Sequence, residues 1–298
     1  MAPEKASALS IKAPFFIGRR GAVLIVFVLA AIVSYFSLGL ELKTLWPSEG
    51  GRSIAAGFFS RAFSPAMHAE GEFVPANDPP LLQIAAEAAW LTFLFAAAAM
   101  GLALLIGIVF GFLASSAWWR GDPQGAESAA VKWLRRTLAP AVYVASRTFI
   151  AVIRSIHELL WAILFLTAFG LCDAAAILAL ALPYGGYLAK IFSELIDEAS
   201  PTAAAGLRAV GAGSLQVFTF GLLTQALPDM IAYAFYRFEC ALRSSAVLGF
   251  FGFPTLGLFI RQSFNSSNYG EVWTYLYVLL LLIIVFDWWS GAVRKRLV

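Results

Sequence analysis

Charge is scarce in this chain. Only 13% of its 298 residues are Asp, Glu, Lys or Arg, against 60% hydrophobic, and the mean hydropathy is +0.79. So few charges cannot clothe a water-soluble domain of this size, which excludes the soluble classes and leaves an integral membrane protein. Cysteine is also rare. Cys172 and Cys240 make neither a disulfide framework nor a zinc-type spacing, and read as two thiols. No GxxxxGK[ST] phosphate loop occurs, and Lys190 after Gly185-Gly186 lacks that spacing, so nucleotide hydrolysis is left to another chain. The formal net charge of +3 comes from basic residues that flank apolar runs, which argues against a nucleic-acid surface. Neither an internal repeat nor a buried carboxylate set points to an ion-coupled secondary transporter. His157-Glu158 is too small a group to make a membrane enzyme.

What is present is apolar sequence in lengths that cross a bilayer. About 20 apolar residues span the hydrocarbon layer as helix, and six such runs fall at 21–40, 88–113, 151–169, 174–191, 217–235 and 272–289. The expected fold is therefore all-α, with about six transmembrane helices. Lys5, Lys12, Arg19 and Arg20 precede the first run; Arg120, Lys132, Arg135 and Arg136 follow the second; Arg294, Lys295 and Arg296 follow the sixth. An even number of crossings puts all three clusters, and both termini, on one side, which the positive-inside rule makes cytoplasmic. The first run has no small-x-small cleavage site after it and reads as an uncleaved anchor.

Residues 1–86 are expected to form this anchor and an external loop, and residues 87–298 the main membrane domain. The loop, 41–87, carries Gly50-Gly51, Pro47, Pro65, Pro75 and Pro79-Pro80, with short interfacial helices expected around Phe58-Phe59 and Phe63. Gly121-Asp122-Pro123-Gln124-Gly125 breaks helix in a loop on the inner side. Gly107 and Gly111 stand at GxxxG spacing in the second run, suited either to packing within one subunit or to contact between two.

Between the fourth and fifth runs lies a more polar elbow. Ser200-Pro201 is a helix start, predicting a short helix over Thr202 to Val210. Gly211-Ala212-Gly213 supplies a corner that tolerates positive φ, and Ser214 a second cap for a helix running towards Leu227-Pro228. The run Ala204-Ala205-Gly206-Leu207-Arg208-Ala209-Val210-Gly211-Ala212, with Leu222-Leu223 and Gln225-Ala226-Leu227-Pro228, resembles the signature loop of ABC importer permeases of the type I fold. Glu194, Ile196, Gln216-Val217, Tyr236-Arg237-Phe238-Glu239, Arg243-Ser244-Ser245 and Val247-Leu248-Gly249 narrow the resemblance to the phosphonate-import permease branch, over roughly residues 145–296.

That resemblance implies a transport subunit of the bacterial inner membrane rather than an enzyme. It implies an ATPase subunit dimer, using ATP and Mg, docked on Thr202, Ala205, Gly206, Leu207, Arg208, Ala209, Gly211 and Ala212. It also implies a periplasmic substrate-binding protein, a second permease subunit, identical or different, and a bilayer around the helices. The implied substrate is a phosphonate or a related oxyanion such as phosphite or phosphate; permeases on the same scaffold move amino acids, metals or other oxyanions. No cofactor is expected on this chain. The family pattern has an acidic residue at Ala205, a Pro near Thr224, a Pro at His157 and a Gly pair at Pro254-Thr255. These departures predict a weaker bend at His157 and suggest one half of a heterodimer.

Two charged groups near the membrane are candidates for the solute path. Arg154, His157 and Glu158, with Arg147 seven residues before Arg154 on the same helical face, stand at the start of the third run. Either Arg154 and Glu158 pair near the inner surface, or Arg154 or His157 lines the path of an anion. Arg237, Glu239 and Arg243 end the fifth run; two guanidinium forks suit an oxyanion, while Glu239 four before Arg243 suits an internal pair. Asp287 is expected to pair with a nearby arginine.

Overall fold

The computed structural model describes residues 19–39, 46–70, 79–119, 129–213 and 216–297, and every regular element among them is helical. Lys5, Lys12, Arg120, Pro75, the 121–125 run and Ser214 lie outside the described residues, as do the side chains of Arg19, Arg20, Lys132, Arg135 and Arg136.

The chain divides into two units, 1–59 and 60–298. In the first, α1 (Arg19–Ser37) holds the apolar stretch Gly21–Ser37, shorter than a full crossing. Next comes α2 (Glu49–Ser60), so a short helix forms around Phe58 and Phe59, whose rings meet edge to face at 5.3 Å. Phe63 lies beyond it in a turn and is almost fully exposed.

The second unit contains α3 (Leu81–Ala114), the single turn α4 (Ser116–Trp119), α5 (Ala129–Ser155), α6 (Glu158–Phe169) and α7 (Asp173–Glu198). After α8 (Pro201–Ala209), a π-helical segment, Val217–Leu223, runs into α9 (Thr224–Val247), which continues through Pro228 rather than stopping there. A 3₁₀ turn, Leu248–Phe251, leads to α10 (Leu256–Asn265) and α11 (Tyr269–Leu297). Three helices, α3, α7 and α11, are long and apolar enough to cross a membrane. Two bent pairs raise that to five: α5 with α6, turned by 90°, and Val217–Phe251 with α10, turned by 49°. The run at 151–169 is thus not one straight helix.

The bend at that break corrects the expectation drawn from the missing proline. Ser155 ends α5, and His157 takes an extended conformation, φ −66° and ψ 146°. Its Nδ1 then accepts the Leu159 N–H at 3.3 Å, so the imidazole caps α6 where a proline would have broken the chain. Trp161 Nε1 donates to the freed Ile153 carbonyl at 3.1 Å.

Helix α7 is the centre of the unit, and small residues set how closely its neighbours approach. A Cβ on Gly107 would stand 2.6 Å from Leu188 Cβ, one on Gly111 2.9 Å from Phe192 Cβ, and one on Gly185 2.8 Å from Ile106 Cβ. Of the two readings of the GxxxG pair, the structure favours packing within one subunit, with α3 laid directly on α7. At the far end from α8, Thr92 Oγ1 accepts the Leu256 N–H at 3.1 Å and Ser245 donates to the Thr92 carbonyl at 2.8 Å. A Cβ on Gly249 would overlap Leu258 N, and one on Gly257 the Ala246 carbonyl, so the glycine-rich turn is where α9 and α10 cross backbone to backbone. At the same end residues 66–70 strap onto the start of α11: Ala66 N–H donates to the Gly270 carbonyl at 3.1 Å, and Glu271 accepts from Glu70 N–H and the Ser263 hydroxyl, both at 2.6 Å. Both cysteines are free, and Asp287 pairs with Arg294 at 3.6 Å, as expected.

Candidate functional site

The elbow folds much as its residues dictate. Ser200 Oγ accepts the Thr202 N–H at 3.4 Å, and Pro201 opens α8. At the other end Ala212 N–H donates to the Leu207 carbonyl and Gly211 N–H to the Arg208 carbonyl, both at 3.0 Å, with Gly211 at φ +83°. This is a Schellman stop, and it requires a residue free to take positive φ. Gly213 then starts the next segment: its carbonyl accepts the Val217 N–H at 3.0 Å, and its own N–H donates to Gln216 Oε1 at 2.9 Å, a reciprocal cap.

One face of α8 is committed to the chain's own core. Ala204 is buried, and a Cβ on Gly221 would stand 3.4 Å from Ala204 Cα and 3.3 Å from Leu207 Cδ1. Leu207 and Ala212 lie on this inner side, half-buried. Thr202, Ala205, Gly206, Arg208, Ala209 and Gly211 are exposed on the other, with Val210 80% exposed. Arg208 has no side-chain partner among the described residues. The level of α8 is fixed one turn earlier by Asp197. Its carboxylate accepts from Ser115 Oγ at 2.8 Å and from the N–H groups of Ser116 and Ala117 at 3.1 and 2.9 Å, and pairs with Arg147 at 3.7 Å. Asp197 therefore ties the end of α7 to the end of α3 and to Arg147 in the second half of α5. Sequence reasoning missed it because its partners are about fifty to eighty residues away.

A second polar group sits at mid-height of the bundle. Glu158, in the first turn of α6, accepts from the Ser244 hydroxyl at 3.0 Å, and Ser244 meets the Tyr184 hydroxyl at 2.9 Å. Tyr184 lies near the middle of α7, so Glu158 sits at mid-height of the bundle and makes no ion pair with Arg154; the His157 imidazole lies 3.6 Å from its carboxylate. The 90° break is the physical reason, since it carries the start of α6 into the bundle instead of along α5. On the same side of α7, Arg237 is stacked over Tyr187, 4.5 Å from the ring centroid, and its Nε donates to the Tyr233 hydroxyl at 2.7 Å. Arg243 faces elsewhere, exposed and paired with Glu239 at 3.0 Å. Six residues on a helix differ by about 240° in direction, so the two guanidinium forks do not converge. Tyr184, Tyr187, Tyr233 and Ser244 were not singled out from sequence as members of this group. The signal was there in tyrosines three apart on two apolar helices.

Residues 126–298 match the family described as binding-protein-dependent transport system inner membrane components. The chain belongs to this family. Among its relatives, the phosphite transport system permease protein PtxC of Stutzerimonas stutzeri is 33% identical over 157 residues, 53% of this chain and 57% of that protein. The phosphate-import permease protein PhnE of Mycolicibacterium smegmatis is 30% identical over 159 residues, 53% of this chain but 30% of its own length. The chain thus spans about half or less of these relatives. Among solved structures, the methionine ABC transporter MetNI in an inward-facing conformation aligns with a TM-score of 0.60 over 73% of this chain and 98% of that one, at 18% identity. An amino acid ABC transporter crystallised with histidines gives 0.58 over 72% and 94%, at 16% identity. At these identities the two structures speak for the fold. Family membership makes the chain an inner membrane component of a transport system, and both the elbow and the mid-bundle cluster fall within the matched region.

Proposed function

We propose that the chain is the membrane-spanning subunit of an ABC importer for a phosphonate or a related phosphorus oxyanion such as phosphite or phosphate. The single observation that carries the transport reading is the elbow: a capped helix whose inner face is spent on its own core and whose outer face, Thr202, Ala205, Gly206, Arg208 and Ala209, is bare. A separate ATPase dimer docks on that face, hydrolyses ATP with Mg, and transmits its closure through α8 to the π segment and α9. Asp197 makes this transmission stiff by holding the end of α3 and Arg147 of α5 against the end of α7, just before α8. A periplasmic binding protein delivers the solute to the opposite end, where residues 66–70 meet α11.

In this reading the chain crosses the bilayer six times, counting the short apolar helix Gly21–Ser37 and each bent pair as one crossing. Basic residues before the first crossing, after the second and after the last support cytoplasmic termini, with α8 on the same side. A second permease subunit completes the pathway, because two ATPases close around two nucleotides. The phosphorus oxyanion is supported by the names of the relatives at 30% identity and above, and the fold neighbours do not discriminate, since that scaffold is shared by amino acid transporters.

The test is growth of a strain lacking this chain on phosphate, phosphite, methylphosphonate or 2-aminoethylphosphonate as sole phosphorus source, in a background without other phosphorus importers. Selective loss on one of them, restored by the gene, is expected. Equal growth on all four removes the substrate assignment, while co-purification with an ATPase separately tests the importer assignment.

A further inference from the structure

Arg154 is half-buried, in a chain that crosses a bilayer, and among the described residues its guanidinium has no hydrogen bond and no ion pair. A cation in that position is costly unless something answers it. It lines a cavity of about 210 Å³ between α3, α5 and α7, together with Arg147, Ala151, Lys190 and Ser193. At ~30 Å³ per water, that is room for about seven waters or for a tetrahedral anion with part of its hydration shell.

The charges around the cavity do not cancel. Arg147 is held by Asp197 at 3.7 Å and by the Ala114 carbonyl at 3.3 Å, and Lys190 pairs with Glu194. Asp197 is also engaged by Ser115, Ser116 and Ala117. Three cations and two carboxylates leave one positive charge, and it rests on Arg154. The stem of that residue is placed by close helix contact: a Cβ on Gly186 would stand 2.7 Å from Ile153 Cγ1 and 3.2 Å from Arg154 Cβ. Arg147 and Arg154 are two turns apart on one face of α5, about 10.5 Å along the axis, so their forks bound the cavity from its two ends.

Access is from the outer flank of α5. A wider, open hollow of about 620 Å³ shares Arg147 and Ala151 with the cavity and is otherwise lined by Tyr143, Val144, Thr148, Val152 and Ser155. Its apolar rim suits hydrocarbon and its cationic floor suits an anion.

We propose that this cavity is a binding site for a phosphorus oxyanion, the phosphate or phosphonate group being gripped by Arg154 with Arg147 and Lys190 behind it. Two guanidinium groups on α5 and an ammonium on α7 favour an oxyanion, and Arg154, which has no partner among the described residues, can offer it two donors. The site is separate from the Glu158–Ser244–Tyr184 cluster and does not depend on which solute is transported. The same group is offered by a phospholipid headgroup, with its chains over Val144 and Val152, or by a soluble phosphate or phosphonate.

The experiment uses the full chain purified in detergent. Phosphatidylglycerol binding is counted by native mass spectrometry, and inorganic phosphate and methylphosphonate binding by calorimetry. The set comprises wild type, Arg154→Gln, Ala151→Trp, which fills the entrance while keeping every charge, and Arg52→Gln as a control for loss of an exposed cation elsewhere. One saturable equivalent of lipid per chain, weakened about tenfold or more in Arg154→Gln and Ala151→Trp but less than twofold in Arg52→Gln, supports the site with lipid as its source. The same pattern for phosphate or methylphosphonate supports it with a soluble source. Absence of saturable binding of either probe to wild type, or unchanged binding in the two cavity variants, overturns the proposal. Should Arg154→Gln not fold, the comparison of Ala151→Trp with wild type decides between these outcomes by itself.

Discussion

The Ser244 hydroxyl donates to the Glu158 carboxylate at 3.0 Å, joining helices 86 residues apart in sequence, and the same oxygen meets Tyr184 on a third helix. Removing Ser244 leaves a largely buried carboxylate and a phenol without their shared partner. Ser244→Ala is expected to cost about 1–3 kcal/mol, read as a lowered thermal midpoint of the purified chain in detergent. Ser244→Thr, which keeps the hydroxyl, recovers most of it. Equal midpoints for wild type and Ser244→Ala would remove the structural weight assigned to this bond.

The corner after α8 depends on one backbone conformation. Gly211 sits at φ +83° with open space around it, so Gly211→Ala meets no clash but strains the backbone by about 1 kcal/mol. The Schellman bonds to Leu207 and Arg208 weaken, and α8 frays. ATPase activity stimulated by the binding protein, in the reconstituted complex, is expected to fall several-fold while membrane expression is unchanged.

Gly206 separates fold from docking. Nothing lies within 4 Å of a Cβ there, so Gly206→Ala favours the α8 helix by about 0.5–1 kcal/mol. Gly206→Trp also fits the chain itself, yet projects from the bare face. It is expected to leave the permease folded and abolish ATPase co-purification; retained co-purification would put the ATPase elsewhere.

Gly107 and Gly101 differ by what they touch. Gly107→Ala drives a methyl to 2.6 Å from Leu188 Cβ and is expected to cost about 1–3 kcal/mol, whereas Gly101→Ala meets nothing. Thermal unfolding of the two variants side by side checks this.

The departures at Ala205 and Pro254-Thr255 lead to an expectation for assembly. Expressed with the ATPase but without a second permease, the chain is expected to yield no coupled transporter. A stable homodimer with full ATP-driven transport would exclude the heterodimer.

Local chemistry was legible in the sequence, and distant partnership was not. Ser200, Pro201 and Gly211 announce α8 because caps and stops act through neighbours within a few residues, and Asp287 finds Arg294 for the same reason. A spacing of four pairs Glu158 with Arg154 on a continuous helix, but the chain breaks between them and the carboxylate turns to Ser244 instead. Loss of the proline predicts a weaker bend, yet an extended His157 that caps the next helix serves equally well. Asp197 and the tyrosines around Arg237 act across helices, and no spacing rule reaches that far. Gly107 and Gly111 announced a close helix contact but not its partner, since small residues serve contacts within and between subunits alike; the structure supplies Leu188 and Phe192 of α7.

The right-angled break at residues 156–157 has a mechanical consequence. Each side of it is a helical rod, and the two are joined by the residues of the break and by the Trp161–Ile153 bond across it, so the break can act as the fulcrum of a lever once that bond yields. The arm beyond it, Glu158–Phe169, is about 18 Å long at 1.5 Å per residue. A turn of about 10° at the corner sweeps the far tip of that arm by roughly 3 Å, enough to slide one side chain past its neighbour, with no hydrogen bond inside either rod being broken.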